Sequence, residues 1–498
     1  MASDSAEQPS SATEQPTVAI AGATGFVGTA LRHALAPRCK IIGLTRSPAR
    51  ARANASPNGT EAWRHCDLFD LHDVTEALEG ADYAVYLVHS MHPSSRLTQA
   101  SVADLDLLQA DNFARAAEAQ GIRQILHVGG LIPDRIALPD RLQSRKDVED
   151  TLASGGVPVT TLRAGLIVGP GGTWLRLLVN LVRRLPVMIL PAWAQAHIQP
   201  VALADVVRAL RHCLGNPEAY DAVYDVGGPD RMTYREMIER AAKTLGLTRR
   251  LAMAPIDAPI LSKLWIRLFS GAPWALISPL VDRMRYQAAI RPNPLQDWLL
   301  QEATPFEAAL RASVDASGHP YPNPRDELRS TDDAIIRSAS VARSVQRLPL
   351  PDGYTARDIA NEYIRWLPTV GGPLLNCDVS YGRVVRFEVP GLSVPLLELS
   401  FAADRSPEGR QLFHVTGGWL ADMDGVQNGR LEFRQALNGR CVIAAVHDFA
   451  PHLPWYVYNT TQAIAHLLVM AGFRQHLKNL CRLASNSSNE STQPALSS

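Results

Sequence analysis

The chain has 498 residues with 49 basic and 49 acidic side chains, so its formal net charge at pH 7 is zero. A chain of this length is expected to form two to three domains and can bury ample core. The balanced charge gives no sign of binding to nucleic acid or to an anionic membrane. The six cysteines are scattered without a C-x-x-C pair, which favours reduced thiols over a disulfide or zinc framework. These features predict a cytoplasmic protein without a transmembrane segment.

The most informative stretch follows Thr17, where an apolar run breaks directly into a glycine turn that opens a helix. Gly22 suits the tight turn after the strand, and Gly25 leaves room for a pyrophosphate beside the backbone. Gly28 lets the next helix press onto the sheet, and the phosphates would lie at the positive end of that helix. The other candidate cofactor contacts in this loop are Thr24, Phe26 and Val27. A glycine motif on its own also fits a tight turn that holds no ligand.

A second apolar strand, residues 40–45, ends in Arg46 and Ser47, about where a dinucleotide enzyme contacts the adenine ribose. An acidic residue at this place would hydrogen-bond the 2′-hydroxyl of NAD, whereas Arg46 offers a cation to a 2′-phosphate. The sequence therefore favours NADP as the cofactor, with NAD as the alternative.

The strand of residues 83–88 runs out into a loop that contains His89 and His92. Ligands of open parallel sheets lie beyond the carboxyl ends of the strands, so Val88 and His89 should border the nicotinamide. Metal binding by the two histidines is disfavoured, because no acidic or cysteine partner is near them in the sequence. Strands and helices go on alternating through residues 159–163, which predicts an α/β fold with a doubly wound parallel sheet.

Five segments carry a shared pattern: G-A-T-G-F-V-G at 22–28, C-D-L at 66–68, Y-L-V-H-S-M at 86–91, L-R-A-G-L-I-V-G-P at 162–170 and Y-D-V-G-G-P at 224–229. Together they resemble the atypical short-chain dehydrogenase/reductases, and within them the NmrA-like, extended NAD(P)H-binding proteins. The resemblance covers about residues 16–320. It implies a Rossmann-type NAD(P)-binding domain with a small substrate lobe, and it implies that Asp67 and Leu68 lie at the adenine edge.

The chain departs from this family in its acid/base machinery. The family pattern has a Tyr-x-x-x-Lys pair, but here Arg141 stands at the Tyr position and Arg145 at the Lys position. Arg145 can hold a ribose or a phosphate, yet a guanidinium does not donate a proton near neutral pH. The catalytic candidate by position is His89, and His127 and Tyr86 are the next nearest groups. Each of these three residues can equally be a strand-end side chain that the local backbone satisfies.

The composition divides the chain into five parts. We expect disordered tails at residues 1–15 and 486–498, a Rossmann domain with its lobe at 16–315, a linker at 316–344 and a separate α+β domain at 345–485. The last domain combines short strands, Asn-Gly hairpin turns and a long helix from about Trp455 to Leu480, which predicts a helix-grip-like architecture. On this division, a fragment that ends near Arg325 should fold alone.

Two classes of function remain open. The first is an NADP-dependent oxidoreductase that acts on a small apolar carbonyl or alkene compound held between the lobes. The second is a non-catalytic NADP(H)-binding redox sensor, or a carrier of an apolar ligand in the C-terminal domain. The missing Tyr and Lys favour the second class, and the substrate lobe favours the first.

Overall fold

The structure is a computed structural model, and it describes residues 15–52, 59–88, 97–133, 138–253, 289–328, 334, 341–371, 376–380, 384–422 and 429–490. His89 and His92 lie outside the described residues. Among the described helices, none combines the length and the apolar character that crossing a membrane requires.

The strands are β1 (Thr17–Ala21), β2 (Lys40–Thr45), β3 (Glu61–His65), β4 (Tyr83–Tyr86), β5 (Leu97–Ala100), β6 (Gln124–Gly130), β7 (Val159–Ala164), β8 (Ile167–Val168), β9 (Val187–Leu190), β10 (His197–Ile198), β11 (Val201–Ala202), β12 (Val223–Val226), β13 (Met232–Thr233), β14 (Arg250–Met253), β15 (Ala342–Pro349), β16 (Asn376–Ser380), β17 (Val384–Glu388), β18 (Leu397–Phe401), β19 (Arg410–Gly417), β20 (Arg430–Ala436) and β21 (Cys441–Phe449).

The α-helices are α1 (Phe26–Leu35), α2 (Pro48–Arg52), α3 (Leu71–Leu78), α4 (Val102–Ala119), α5 (Asp140–Ala153), α6 (Thr173–Arg184), α7 (Leu203–Cys213), α8 (Tyr234–Thr244), α9 (Pro294–Leu300), α10 (Phe306–Arg311), α11 (Ala356–Gly371), α12 (Trp455–Thr460) and α13 (Gln462–Glu490).

A seven-stranded parallel sheet forms the N-terminal half, in the order β12-β7-β6-β4-β1-β2-β3. Its central strands are apolar on successive residues because helices cover both faces of the sheet. Helices α1 and α7 pack on one face, and α3, α4 and α5 pack on the other. The predicted doubly wound Rossmann-type sheet is confirmed. The strand order reverses between β1 and β4, and ligands of such sheets bind at this point.

The substrate lobe is built from insertions after β7. Its apolar core lies between α6, α8 and α10, and two short strand pairs, β9 with β14 and β10 with β13, complete it. Residues 315–328 also belong to this lobe, because the Asn323 side-chain amide donates to the Gly171 carbonyl oxygen at 2.8 Å and Arg176 pairs with Asp326. The structure therefore differs from the predicted linker at 316–344 over its first part.

A second, eight-stranded mixed sheet has the order β16-β17-β18-β19-β20-β21-β15-β5. From β16 to β21 it is an antiparallel meander, β15 pairs antiparallel with β21, and β5 from the N-terminal half pairs parallel with β15. Strand β15 starts at Ala342, inside the predicted linker. The sequence alone gave no reason to place residues 97–100 in this sheet, since their partner strand lies far away in the chain.

Helices α11 and α13 cover one face of the second sheet, with Tyr363, Phe433 and Phe473 in the shared core. The single helix predicted from about Trp455 to Leu480 is two helices, because Thr461 is not helical and separates α12 from α13. The order strand, helix, meander and long helix is compatible with the predicted helix-grip-like architecture, which stays a prediction.

The other face of the second sheet packs against the Rossmann domain. Leu105 and Leu108 of α4, together with Phe69, share an apolar cluster with Val345 and Ile443 of the sheet. The C-terminal unit is thus a second sheet domain with an extensive contact to the first domain.

Candidate dinucleotide-binding site

The turn between β1 and α1 has the geometry that the glycine spacing predicts. Gly22 has φ +87°, and a Cβ atom on it would lie 3.1 Å from the backbone of Leu87. A Cβ atom on Gly28 would overlap the Gly22 carbonyl oxygen and come within 2.9 Å of the Ala23 Cα atom. Glycine at these two positions therefore allows the helix to start directly against the strand end.

The N-terminus of α1 is open to an anion. Gly25 is the N-cap residue and supplies no side-chain acceptor, and the first turn contains no acidic residue. The N–H groups there carry the positive end of the helix dipole. Thr24, Phe26 and Val27 are half-buried around this end, and the Phe26 ring lies against Gly172 of the substrate lobe.

The carboxyl end of β2 carries the predicted cation. Arg46 is half-buried, and its guanidinium has no hydrogen-bond or ion-pair partner in the part of the chain that the structure describes. Ser47 is buried, and its hydroxyl accepts from the Arg50 N–H at 3.3 Å, so it starts helix α2. The Arg50 guanidinium lies 5.3 Å from the ring centre of Trp63. The Arg46 guanidinium can therefore turn to a phosphate.

Asp67 and Leu68 follow β3 and lie beside the end of β2, because the Cys66 N–H donates to the Thr45 carbonyl oxygen at 2.8 Å. The Asp67 carboxylate accepts from Arg343 of the second sheet at 2.6 Å and from its own neighbour Phe69 N–H at 3.1 Å. Leu68 is buried in the core. Contact of Asp67 and Leu68 with an adenine stays a prediction, whereas the contact of Asp67 with the second domain was not foreseen.

On the nicotinamide side the structure describes Val88, which is half-buried just beyond β4. Arg145 lies on α5 near the carboxyl end of β6, close enough to His127 for its charge to help lower the pKa of that imidazole. Strand β6 ends in Gly129 and Gly130 and offers no hydroxyl there. The position of Arg145 suits a cation that holds a ribose or a phosphate.

The two other proton-transfer candidates are core residues. Burial lowers the pKa of His127 to about 4, and its Nδ1 atom contacts the Tyr86 carbonyl oxygen at 3.1 Å. Burial raises the pKa of the fully buried Tyr86, whose ring packs edge-on to Phe113 and whose hydroxyl lacks a hydrogen-bond partner among the described residues. Both side chains pack within the sheet and its helices, and His89 stays a prediction from the sequence.

Sequence reasoning missed a buried ion pair one helical turn after Arg145. Arg163 Nε donates to Glu149 Oε2 at 2.8 Å, and both side chains are only 8% exposed. The pair joins α5 to the carboxyl end of β7 and fixes the helix that carries Arg145. No spacing along the chain points to this pair, because Arg163 lies on a strand 14 residues after Glu149.

The second sheet domain has a cavity of about 370 Å³ between α11 and strands β16, β17 and β19. Its lining is mainly apolar, with Ile364, Val385 and Phe413, and it includes the polar Asn361 and the cationic Arg365. No cluster of three or more potential metal ligands occurs among the described residues.

Taken together, the glycine turn, the open helix N-terminus and Arg46, which has no partner among the described residues, fit a dinucleotide with a 2′-phosphate. Each feature lies at the carboxyl edge of the Rossmann sheet, at the ends of β1 and β2.

Residues 22–173 match the model of a family described as NAD(P)H-binding. Auxiliary protein GraX of Staphylococcus aureus is 28% identical over 149 residues, which are 30% of this chain and 43% of that protein. The chain therefore matches less than half the length of this relative.

Among solved structures, the triphenylmethane reductase of a Citrobacter species complexed with NADP(H) has 16% identity and a TM-score of 0.48, covering 59% of this chain and 99% of that one. The NADPH-dependent quinone oxidoreductase of Escherichia coli complexed with NADPH has 20% identity and a TM-score of 0.44, covering 64% of this chain and all of the other.

Proposed function

We propose, from the NAD(P)H-binding domain that residues 22–173 form, that this protein is an NADP(H)-dependent oxidoreductase acting on a small apolar carbonyl or alkene compound. The observation that carries the preference for NADP(H) is Arg46, a guanidinium without a protein partner among the described residues at the end of β2. A cation at this place attracts a 2′-phosphate, and no acid stands there to bind the 2′-hydroxyl of NAD.

The glycine turn and α1 hold the pyrophosphate in this proposal. The first-turn N–H groups of α1 donate to the phosphate oxygens, and Gly25 leaves them accessible. Arg145 holds the nicotinamide ribose or a phosphate as a fixed cation, and the Glu149 and Arg163 pair keeps its helix in place. When bound, the cofactor supplies a hydride to the substrate or accepts one from it.

A proton must accompany the hydride if a carbonyl is reduced to an alcohol. Arg145 stays protonated, and His127 and Tyr86 are enclosed in the core. His89 comes after Leu87 and Val88, which follow the last residue of β4, Tyr86, and a histidine has a pKa close to working pH. His89 is therefore the proposed proton donor, and Val88 borders the nicotinamide ring in this proposal.

The substrate lies against the lobe in this proposal. Trp174, in the first turn of α6, packs against the apolar lobe core, and its buried indole N–H has no acceptor among the described residues. A substrate with an apolar body and one carbonyl oxygen would satisfy such a donor, since a buried unpaired N–H is costly.

Titration of the purified protein with NADPH and NADH tests the cofactor assignment. NADPH should bind more tightly, and Arg46→Glu should remove that preference by placing a carboxylate beside the 2′-phosphate. Arg123→Ala is the control. Arg123 pairs with Asp82 at 2.9 Å at the amino ends of β6 and β4, whereas Arg46 lies at the carboxyl end of β2. Equal affinities in the wild-type protein, or tighter binding of NADH, would contradict NADP(H) as the cofactor.

A panel of apolar ketones, quinones and enones then tests turnover by the loss of NADPH absorbance. The alternative function is a non-catalytic NADP(H) sensor or an apolar-ligand carrier, and the cavity between α11 and the second sheet favours it. A protein that binds NADPH but oxidises it with no compound of the panel supports that alternative.

A further inference from the structure

Four consecutive residues of the loop after β3, which we call the adenine loop (Asp67–Asp70), are held by the second sheet domain. Asp67 pairs with Arg343, and Asp70 pairs with Arg430 at 2.5 Å. Asn112 contacts the backbone of Leu68 and Phe69, and the His447 ring and the Arg343 guanidinium contact the Phe69 ring.

Arg343 makes the most direct of these contacts. Its guanidinium donates to Asp67 Oδ2 at 2.6 Å and to Asp448 Oδ1 at 2.7 Å, and it lies 4.7 Å from the centre of the Phe69 ring. The side chain is only 11% exposed. An arginine that joins two carboxylates and an aromatic face in this way fixes both position and direction.

The backbone of β21 is irregular beside this contact. Asp448 has φ +46°, a conformation that residues with a Cβ atom rarely adopt, and the register between β15 and β21 shifts between Ala342 and Ser344. In a regular strand, successive side chains point to opposite faces of the sheet. The irregularity changes this alternation and brings the Asp448 carboxylate to Arg343.

A second buried chain of contacts reaches the loop from β20. Arg434 is 1% exposed and donates to Asp111 at 2.7 Å and to the Asn112 side-chain oxygen at 2.6 Å. The Asn112 amide in turn donates to the carbonyl oxygens of Leu68 and Phe69, at 2.9 and 3.0 Å. The backbone of the adenine loop therefore rests on a cation of the second domain.

Phe69 completes the arrangement from the side. The His447 ring of β21 meets the Phe69 ring edge-on with the centroids 4.9 Å apart. His447 is itself held by Glu432 at 2.9 Å. Three strands of the second sheet, β15, β20 and β21, thus contact one loop of the Rossmann domain.

We propose that the second sheet domain is part of the cofactor site, with Arg343 as a positioning residue that sets the adenine loop through Asp67. Docking of the two domains and binding of the adenosine half of NADP(H) are then coupled, and each strengthens the other. This inference rests on the proposed dinucleotide function and adds to it a role for the C-terminal domain.

The test uses the full chain and two probes, adenosine 2′,5′-bisphosphate for the adenosine half and reduced nicotinamide mononucleotide for the other half. Arg343→Met leaves Asp67 and Asp448 facing each other without a cation. It should weaken binding of NADPH and of the bisphosphate by about tenfold or more, as measured by calorimetry, and leave the mononucleotide unchanged. Arg343→Lys should restore part of the affinity.

Arg386→Met is the matched control, because Arg386 pairs with Glu398 at 2.6 Å on β17 and β18, away from the Rossmann domain. A folded Arg343→Met protein that binds the bisphosphate like the wild type overturns the inference, and so does an equal loss for both probes. If the wild-type protein binds neither NADPH nor NADH, it is the proposed function that fails.

Hydrogen exchange of the wild-type protein tests the coupling without any variant that risks misfolding. NADPH should slow amide exchange in Ala342–Pro349 and Arg430–Ala436, since binding stabilises the docked arrangement. Unchanged exchange in both strands at saturating NADPH would overturn the inference, whereas binding itself is established separately by the titration.

Discussion

Gly28 of the first helix faces the carbonyl oxygen of Gly22 so closely that a Cβ atom on Gly28 would overlap this oxygen. The contact fixes the angle at which α1 leaves β1, and with it the direction of the helix N–H groups. The observed angle between β1 and α1 therefore requires glycine at position 28.

Gly28→Ala should accordingly destabilise the protein by about 1–3 kcal/mol and abolish high-affinity binding of both NADPH and NADH, because the helix must move away from the strand. Urea unfolding and fluorescence titration measure the two effects. Gly417→Ala is the control, since the nearest atom to a Cβ there is 3.7 Å away. A Gly28→Ala protein with unchanged affinity would show that the turn does not hold the phosphates.

The proposed function assigns proton transfer to His89 and cofactor binding to Arg145. His89→Gln should lower turnover by about a hundredfold or more with little change in NADPH affinity, the usual scale for loss of a general acid. Arg145→Ala should instead weaken NADPH binding, because its proposed role is to hold the cofactor. Steady-state kinetics and titration of both variants separate the two effects, and a His89→Gln enzyme with full activity would exclude His89 as the proton donor.

The contact between the domains reverses the expectation that a fragment ending near Arg325 folds alone. Without the second sheet, the apolar face of Leu105 and Leu108 becomes exposed, and Asp67, Asp70 and Asp111 lose cations of the second sheet. We expect the fragment to aggregate or to fold only partly, because the exposed apolar surface is costly to keep in contact with water. Light scattering and far-UV circular dichroism test this, and a monodisperse fragment that binds NADPH like the full chain would disprove it.

Because His127 is buried, we expect the protein to lose stability in mild acid. Burial lowers its pKa from 6.5 to about 4, so the unfolded chain takes up a proton that the folded protein refuses. The free energy of unfolding is therefore unaffected by His127 above pH 6.5, where the side chain is neutral in both states. It decreases as the pH falls from 6.5 towards 4, by about 2 kcal/mol at pH 5.

His127→Asn keeps a donor for the Tyr86 carbonyl oxygen but does not titrate. The variant should lose about 2 kcal/mol less unfolding free energy than the wild type between pH 7 and pH 5, as measured by urea denaturation at both values. Equal losses in the two proteins would mean that His127 is not held neutral by burial.

The sequence of the second sheet shows where prediction from a pattern reaches its limit. Arg430, Glu432 and Arg434 alternate with apolar residues in β20, which indicates one apolar and one polar face of a strand. The pattern does not say what the polar face meets. In the structure Arg434 is 1% exposed and pairs with Asp111 of α4 in the other domain, and Glu432 is 3% exposed and pairs with Arg434.

The sequence by itself determined the features that depend on neighbouring residues: the alternation of strands and helices, the glycine turn at 22–28 and the cation at Arg46. These are local, because helix and strand periodicity and turn geometry involve only a few successive residues. Tertiary structure alone decided that β5 joins the second sheet and that Arg343 meets Asp67, 276 residues away. Such pairings follow from the packing of whole domains, where buried charges select partners by proximity in space, and no spacing along the chain encodes that proximity.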